Sequence, residues 1–151
     1  MRSVLITGAN GFVGKALCKR VALNGWQVRG TVRYAEQAAG LPTGVEVVQI
    51  KSIGADTDWS DALSGVDVVV HLAARVHVMN DTSSHPLSAF RQVNVAGTER
   101  LARMAAINGV VRSNLIAACR FYEKKTMRKI EISNQAIGSK LRSLGVECNH
   151  G

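Results

Sequence analysis

The sequence predicts an α/β fold, a doubly wound parallel sheet, on three observations. A short apolar run, Val4-Leu5-Ile6, leads into glycines at Gly8, Gly11 and Gly14, and a helical pattern begins at once. Strand-like and helix-like segments then alternate, the mark of βαβ units with right-handed crossovers. Residues 66–73 form a near-continuous apolar run, as expected of a strand buried on both faces of a parallel sheet.

The elements follow in order. Residues 11–24 read as the first helix, with Phe12, Val13, Ala16, Leu17, Val21 and Leu23 apolar and Gly25 suited to a left-handed cap. Residues 26–32 are a second strand, 34–40 a short helical turn, 41–44 a loop and 45–50 a third strand. Residues 57–63 form a short helix that Ser64-Gly65 ends, and 66–73 are the fourth strand. Pro86 begins a long helix reaching Asn108, which Gly109 terminates. Beyond Val110 the periodicity fades; residues 114–118 are the candidate fifth strand and 126–144 are helical in parts.

Composition bounds the classes. A chain of 151 residues with 46% hydrophobic content makes one globular domain with a sizeable core. No apolar run approaches the ~20 residues needed to cross a bilayer, and the N-terminus enters a strand without a signal-peptide core. Cys18, Cys119 and Cys148 are odd in number and form no C-x-x-C pair, so they read as reduced thiols of a cytoplasmic protein. The four histidines lack metal-ligand spacing, and no metal site is expected. The net charge of +8 is uneven, +3 over residues 1–109 and +5 over 110–151. No repeated aromatic–basic interleaving accompanies the basic tail, so a solvated face or a poorly folded end is expected and not a nucleic-acid partner.

The glycines carry the chemistry. A strand, a tight turn and a helix N-terminus together cradle a dinucleotide pyrophosphate. Gly8 permits the sharp turn, Gly11 lets the backbone approach the phosphates, and Gly14 lets the helix pack close on the strand.

Four segments in this order resemble the extended short-chain dehydrogenase/reductase superfamily, and within it the NAD-dependent epimerase/dehydratase group acting on nucleotide sugars, of the UDP-glucose 4-epimerase type. They are Thr7-Gly-Ala-Asn-Gly-Phe-Val-Gly14, Asp67-Val-Val-Val-His-Leu-Ala-Ala74, Arg75-Val-His-Val-Met-Asn-Asp81 and Val93-Asn-Val-Ala-Gly-Thr98, the last followed by Leu101, Met104 and Ala105. The resemblance covers residues 1–112. It implies a Rossmann-like sheet followed by a smaller substrate domain, for which this length leaves no room. The expectation is therefore a truncated Rossmann-like fold without the substrate domain: a dinucleotide-binding domain over residues 1–112 and a divergent basic tail over 113–151, from a shifted or shortened reading frame. The resemblance also implies cofactor contacts at Gly8, Asn10, Gly11, Phe12, Val13 and Gly14, and at Leu72, Ala73 and Ala74 where the fourth strand ends. The implied partners are a dinucleotide and a nucleotide sugar, with homo-oligomers allowed.

In this family a Tyr in a Tyr-x-x-x-Lys helix removes a sugar hydroxyl proton as hydride passes to the nicotinamide, and a Ser after strand five bonds the reacting oxygen. This sequence departs from that pattern. Alanines stand where the Ser is expected in Ser113-Asn-Leu-Ile-Ala-Ala-Cys119. In Ala136-Ile-Gly-Ser-Lys140 the lysine fits but Ala136 replaces the tyrosine, while Tyr122 and Lys125 are three apart instead of four. No catalytic set is intact, and Lys140 is the one weak candidate. The reading is the NAD(P)-binding domain of an epimerase/dehydratase-like protein, catalytically incomplete as this chain. The alternative is a non-catalytic dinucleotide- or partner-binding module.

The cofactor is NAD or NADP. A carboxylate at the end of strand two would accept from the ribose 2′-OH of NAD. This strand ends Thr31-Val32-Arg33, and Glu36 comes a turn too late. Arg33 is placed to pair with a 2′-phosphate, which tilts the choice toward NADP. Ser52 stands where an Asp usually meets the adenine amino group and offers one uncharged hydrogen bond. His71, in the buried strand, reads as a satisfied core histidine, and Asn94, a poor helix former, as an amide tying its helix to a neighbouring strand. His77, Asn80 and Asp81 fall in a loop near the cofactor edge.

Overall fold

The computed structural model describes residues 1–75, 85–110 and 112–114. Its strands are β1 (Ser3–Thr7), β2 (Gln27–Val32), β3 (Val45–Gln49), β4 (Val68–His71) and β5 (Arg112–Asn114). They form one sheet in the order β3-β2-β1-β4-β5, every pair parallel. The helices are α1 (Phe12–Leu23), α2 (Ser60–Leu63), α3 (Pro86–Arg91) and α4 (Gly97–Ile107), with a 3₁₀ turn over Ala35–Gly40.

Alternation along β1 sorts the core into two layers. Val4 and Ile6 pack with Val28, Val70 and Cys18 under α1. Leu5 and Val69 pack on the other face with Trp59, Leu63, Leu101 and Ala105 from the α2 and α4 side. Successive strand residues point to opposite faces, so helices on both faces make the sheet doubly wound, as expected. Cys18 is buried, and burial pushes its thiol up to about 11, which leaves it unreactive at neutral pH.

Several boundaries differ from the sequence reading, each for a local reason. The fourth strand is shorter than 66–73. Val66 N–H still bonds the Leu63 carbonyl in the turn leaving α2, and Leu72 and Ala73 N–H turn to the Thr7 hydroxyl. The short helix starts at Ser60 instead of residue 57. Thr57 Oγ1 accepts from Gly54 N–H and donates to the Ser52 carbonyl, and Asp58 accepts from Ser60 N–H, so side-chain bonds outcompete helix there. The fifth strand is Arg112–Asn114, earlier than 114–118, because it pairs in register with β4 directly after the Val110 turn. Residues 115–118 lie outside the described residues.

The largest correction concerns the long helix. Residues 86–108 do not run as one α-helix; a π-helical turn over Gln92–Ala96 separates α3 from α4. The cause lies at Asn94. Its carboxamide accepts from Arg75 N–H at 2.8 Å and donates to the Arg75 carbonyl at 2.9 Å, copying a strand's pairing just beyond β4. The wider turn accommodates that reach. The amide is half-buried and ties its helix to the segment after the strand, not to the strand itself.

Candidate cofactor-binding site

In an open parallel sheet, ligands sit beyond the carboxyl ends of the strands where the order reverses. Here that crevice lies between β1 and β4. The turn from β1 into α1 forms its floor. Gly8 has φ +65°, and a Cβ there would stand 2.9 Å from Ala73 N. Gly14 is fully enclosed: a Cβ would run into the Gly8 carbonyl oxygen and stand 2.8 Å from Ala9 Cα. Both are glycines for reasons internal to the fold.

Gly11 differs. A Cβ there would meet one protein atom only, the Gly8 oxygen at 3.3 Å, and would otherwise project away from the protein. Its φ of −72° and ψ of 170° suit any residue. The fold itself does not demand glycine at this position, whereas a ligand passing over the turn would.

The head of α1 is left open in the same direction. No side chain caps it, and its first turn carries no acid. The first described helical bond runs from Lys15 N–H to the Gly11 carbonyl at 2.9 Å. The preceding N–H groups are those a helix cannot satisfy internally, and they carry the positive end of the dipole. Phe12 and Val13, both apolar, are 94% and 59% exposed on this turn. These features fit a pyrophosphate and the flat apolar groups beside it. A shallow groove lined by Lys19, Leu23, Leu41 and Pro42 lies at the other end of α1 and is no part of this site.

The opposite wall is held from within. Thr7, His71 and Thr98 are buried in a row. His71 Nδ1 lies 2.7 Å from Thr7 Oγ1, and Nε2 lies 3.1 Å from Thr98 Oγ1. Thr7 Oγ1 also accepts from the N–H of Leu72 and of Ala73, each at 3.1 Å. Those two bonds use its lone pairs, so its one proton goes to Nδ1 and the imidazole carries its own proton on Nε2 for Thr98. Burial holds the His71 pKa down to about 4, consistent with a neutral ring. His71 is thus the satisfied core histidine the sequence predicts. Thr7 and Thr98 went without a role in the sequence reading; a threonine ending an apolar strand directly before a glycine turn was the available signal.

Of the expected cofactor residues, Gly8, Asn10, Gly11, Phe12, Val13 and Gly14 lie on the β1–α1 turn, with Asn10 half-buried, and Leu72, Ala73 and Ala74 line the exit of β4 beside it. The Gly8–Ala73 approach brings these two groups together. Arg33 follows β2 directly and is exposed. Its N–H is held by Gln37 Oε1 at 3.0 Å and its carbonyl by Gln49 Nε2 at 3.0 Å. Ser52 is exposed beyond β3, its carbonyl taken by Thr57. Lys140, Tyr122, Lys125, Ala136, His77, Asn80 and Asp81 lie outside the described residues. Among the described residues there is no group of three or more His, Cys, Asp or Glu placed to hold a metal, and no helix is long and apolar enough to cross a membrane.

The family model for the NAD dependent epimerase/dehydratase family matches residues 4–140, so the likeness continues past Arg112. The chain is 38% identical over 128 residues to a UDP-glucose 4-epimerase of Vibrio cholerae, which covers 83% of this chain and 38% of that protein. A UDP-glucose 4-epimerase of Mycolicibacterium smegmatis is 33% identical over 112 residues, covering 70% of this chain and 35% of that protein. The chain thus spans less than two-fifths of either relative. Among solved structures, a short-chain dehydrogenase/reductase superfamily protein from Agrobacterium tumefaciens with bound NAD superposes with a TM-score of 0.59 at 31% identity, over 74% of this chain and 31% of that one. MoeE5, in complex with UDP-glucuronic acid and NAD, does so with a TM-score of 0.57 at 29% identity, over 74% and 35%.

Proposed function

The chain belongs to the NAD dependent epimerase/dehydratase family, and from that premise we propose that residues 1–112 are a dinucleotide-binding domain serving chemistry on a nucleotide sugar. The observation that carries the proposal is the contrast at the glycine turn: Gly8 and Gly14 are enclosed by protein, while Gly11 opens outward beside the uncapped head of α1. The pyrophosphate would lie over Gly11, held by the free N–H groups at the start of α1. Phe12 and Val13 would be covered by the bound dinucleotide, and Leu72, Ala73 and Ala74 would flank its nicotinamide half. Asn10 and Ser52 would add polar contacts, Ser52 toward the adenine. When bound, the dinucleotide supplies a hydride acceptor; the chain's own residues bind it, orient it and keep water from its apolar face.

The cofactor would be NAD or NADP. NADP is favoured by the exposed Arg33 at the end of β2, where no acid stands. The substrate class rests on the relatives' names, two UDP-glucose 4-epimerases and a protein holding UDP-glucuronic acid. Chemistry at the sugar would need a base, and Ala136 stands four residues before Lys140, where the resemblance implies a Tyr. We therefore propose that this chain binds cofactor without turning over UDP-sugars.

Calorimetric titration with NAD and NADP tests the reading. Binding is expected in the native chain and lost in Gly11→Val, whose side chain would fill the pyrophosphate path. Equal affinity in the two proteins would sink it.

A further inference from the structure

We infer that Thr57 and Arg100 are positioning residues for the base end of the dinucleotide: they close the loop that leaves β3 and fasten it to α4, so that Ser52 is presented at a fixed place beside Arg33. The inference rests on the dinucleotide reading and extends it to residues that act behind the contact surface.

With the pyrophosphate over the β1–α1 turn and a ribose reader at the end of the next strand, the order β3-β2-β1 brings the base end to the exit of β3. That exit is tied to the end of β2. Ile50 N–H donates to the Val32 carbonyl at 2.9 Å, and Gln49 Nε2 to the Arg33 carbonyl at 3.0 Å. Residues 51–58 follow with no helix or strand among them. A surface loop of that kind is ordinarily the mobile part of a fold.

Thr57 removes that freedom with all of its polar groups. Its N–H donates to the Gly54 carbonyl at 3.3 Å. Its hydroxyl accepts from Gly54 N–H at 2.8 Å and donates to the Ser52 carbonyl at 3.1 Å. Its own carbonyl accepts from Arg100 Nε at 3.1 Å, from α4 and 43 residues along the chain. The Arg100 charge also reaches Asp58, whose carboxylate is held below its ordinary pKa first by two bonds from Ser60 and then by this guanidinium. Gly97, three residues before Arg100 and on the same face of α4, lets the helix close on the loop: a Cβ there would run into the Ile53 side chain and stand 3.2 Å from Gly54 N. At the far end Trp59 is fully buried in the core. What the loop leaves exposed beside Arg33 is Ser52. A ligand that need not order the loop first binds more tightly, and a loop that does not yield can tell one base from another.

The test uses the whole chain and two probes, NAD and the dinucleotide in which hypoxanthine replaces adenine. Hypoxanthine carries a carbonyl in place of the amino group and a proton on N1, so a fixed edge binds the two bases unequally. The native chain should prefer one of them by about fivefold or more, the scale of one mismatched hydrogen bond. Thr57→Val keeps the β-branched shape and removes the hydroxyl; Thr57→Ser keeps the hydroxyl. Val should lose about fivefold or more in NAD affinity and bring the two dinucleotides within about twofold of each other, because the loop then yields to either base. Ser should stay within about twofold of native in both respects, since it restores the bonds. A merely structural role would weaken both dinucleotides equally and leave their ratio as it was, and that result overturns the inference. So does native-like NAD affinity in Thr57→Val, or a native chain that binds both bases equally well. A folded native chain that binds neither dinucleotide takes down the dinucleotide reading itself. If Thr57→Val does not fold, Arg100→Lys decides by the same ratio, for it keeps the charge at a half-buried position and loses the guanidinium bond to Thr57. A ratio moved toward one supports the inference, and a native ratio overturns it.

Discussion

Thr7 and His71 face each other across the β1–β4 pair with 2.7 Å between hydroxyl and Nδ1, and that bond is open only to a neutral imidazole. Burial holds the ring's pKa down to about 4 from an ordinary 6.5. The unfolded chain thus binds this proton more tightly than the folded one. The stability tied to the neutral ring is fully present above pH 6.5 and is lost as pH falls toward 4. The loss should reach roughly 3 kcal/mol near pH 4. Urea unfolding at a series of pH values between 7 and 4 measures it. The quantity to read is the difference between native protein and His71→Gln, which isolates the imidazole from every other group. Parallel pH profiles for the two would show that His71 is not the group responsible.

Gly14 should tolerate alanine far less well than Gly11. At Gly14 the added methyl meets the backbone of Gly8 and Ala9, which cannot move without reshaping the turn. Gly14→Ala should cost about 2–3 kcal/mol or more, in the manner of overpacking. At Gly11 the backbone is extended and the nearest atom is 3.3 Å away. Gly11→Ala should leave the fold within about 1 kcal/mol of native, or stabilise it slightly by restricting the unfolded chain. Chemical denaturation of the two variants side by side decides this; equal destabilisation would mean that Gly11 is structural after all.

Arg29 is a fastening between layers. From β2 its guanidinium donates to the carbonyls of Asp61, Ala62 and Ser64 at the end of α2, at 2.8–3.1 Å, and pairs with Glu46 at 3.0 Å. The side chain of Glu46 is 63% exposed, so solvent screens that ion pair. The carbonyl bonds should dominate. Arg29→Met is expected to cost roughly 1.5–3 kcal/mol, and Glu46→Gln under about 0.5 kcal/mol. Urea midpoints that rank the two variants the other way round would reverse this assignment.

What could be read in advance, and what could not, follows from the range of the interactions. Gly8, Gly11 and Gly14 are legible because a strand, a turn and a helix start must lie within a dozen residues of one another, and Gly8 and Gly14 answer local steric demands of that turn. The burial of His71 is legible from the apolar run around it. The π-helical turn is not, since it depends on Asn94 reaching Arg75, 19 residues earlier in the chain. The same holds for Arg29, whose partners lie 32–35 residues away. Its sequence context is that of any arginine alternating with apolar residues in a strand. The start of α2 failed for a different reason. Thr57 and Asp58 are compatible with helix in general, and only their bonds to Gly54, Ser52 and Ser60 show that they spend their polar groups elsewhere.

Arg33 should decide between the two cofactors. Its backbone is pinned on both sides by Gln37 and Gln49, so the base of the side chain is fixed at the end of β2. The guanidinium is exposed, and Glu36, the nearest acid along the chain, is exposed on the 3₁₀ turn that follows. A 2′-phosphate would meet a planar cation with several donors in a fork, whereas the free 2′-OH of NAD would find no carboxylate to accept its proton. Arg33→Ala should weaken NADP binding by about 1.5–3 kcal/mol, the worth of hydrogen bonds to a charged group, and weaken NAD binding much less. The NADP loss should shrink as salt is raised, because the contact is solvent-exposed. Calorimetric titrations of both proteins with both dinucleotides at two ionic strengths give all the numbers required. Equal losses for NAD and NADP would show that Arg33 supports the turn after β2 and does not read the phosphate.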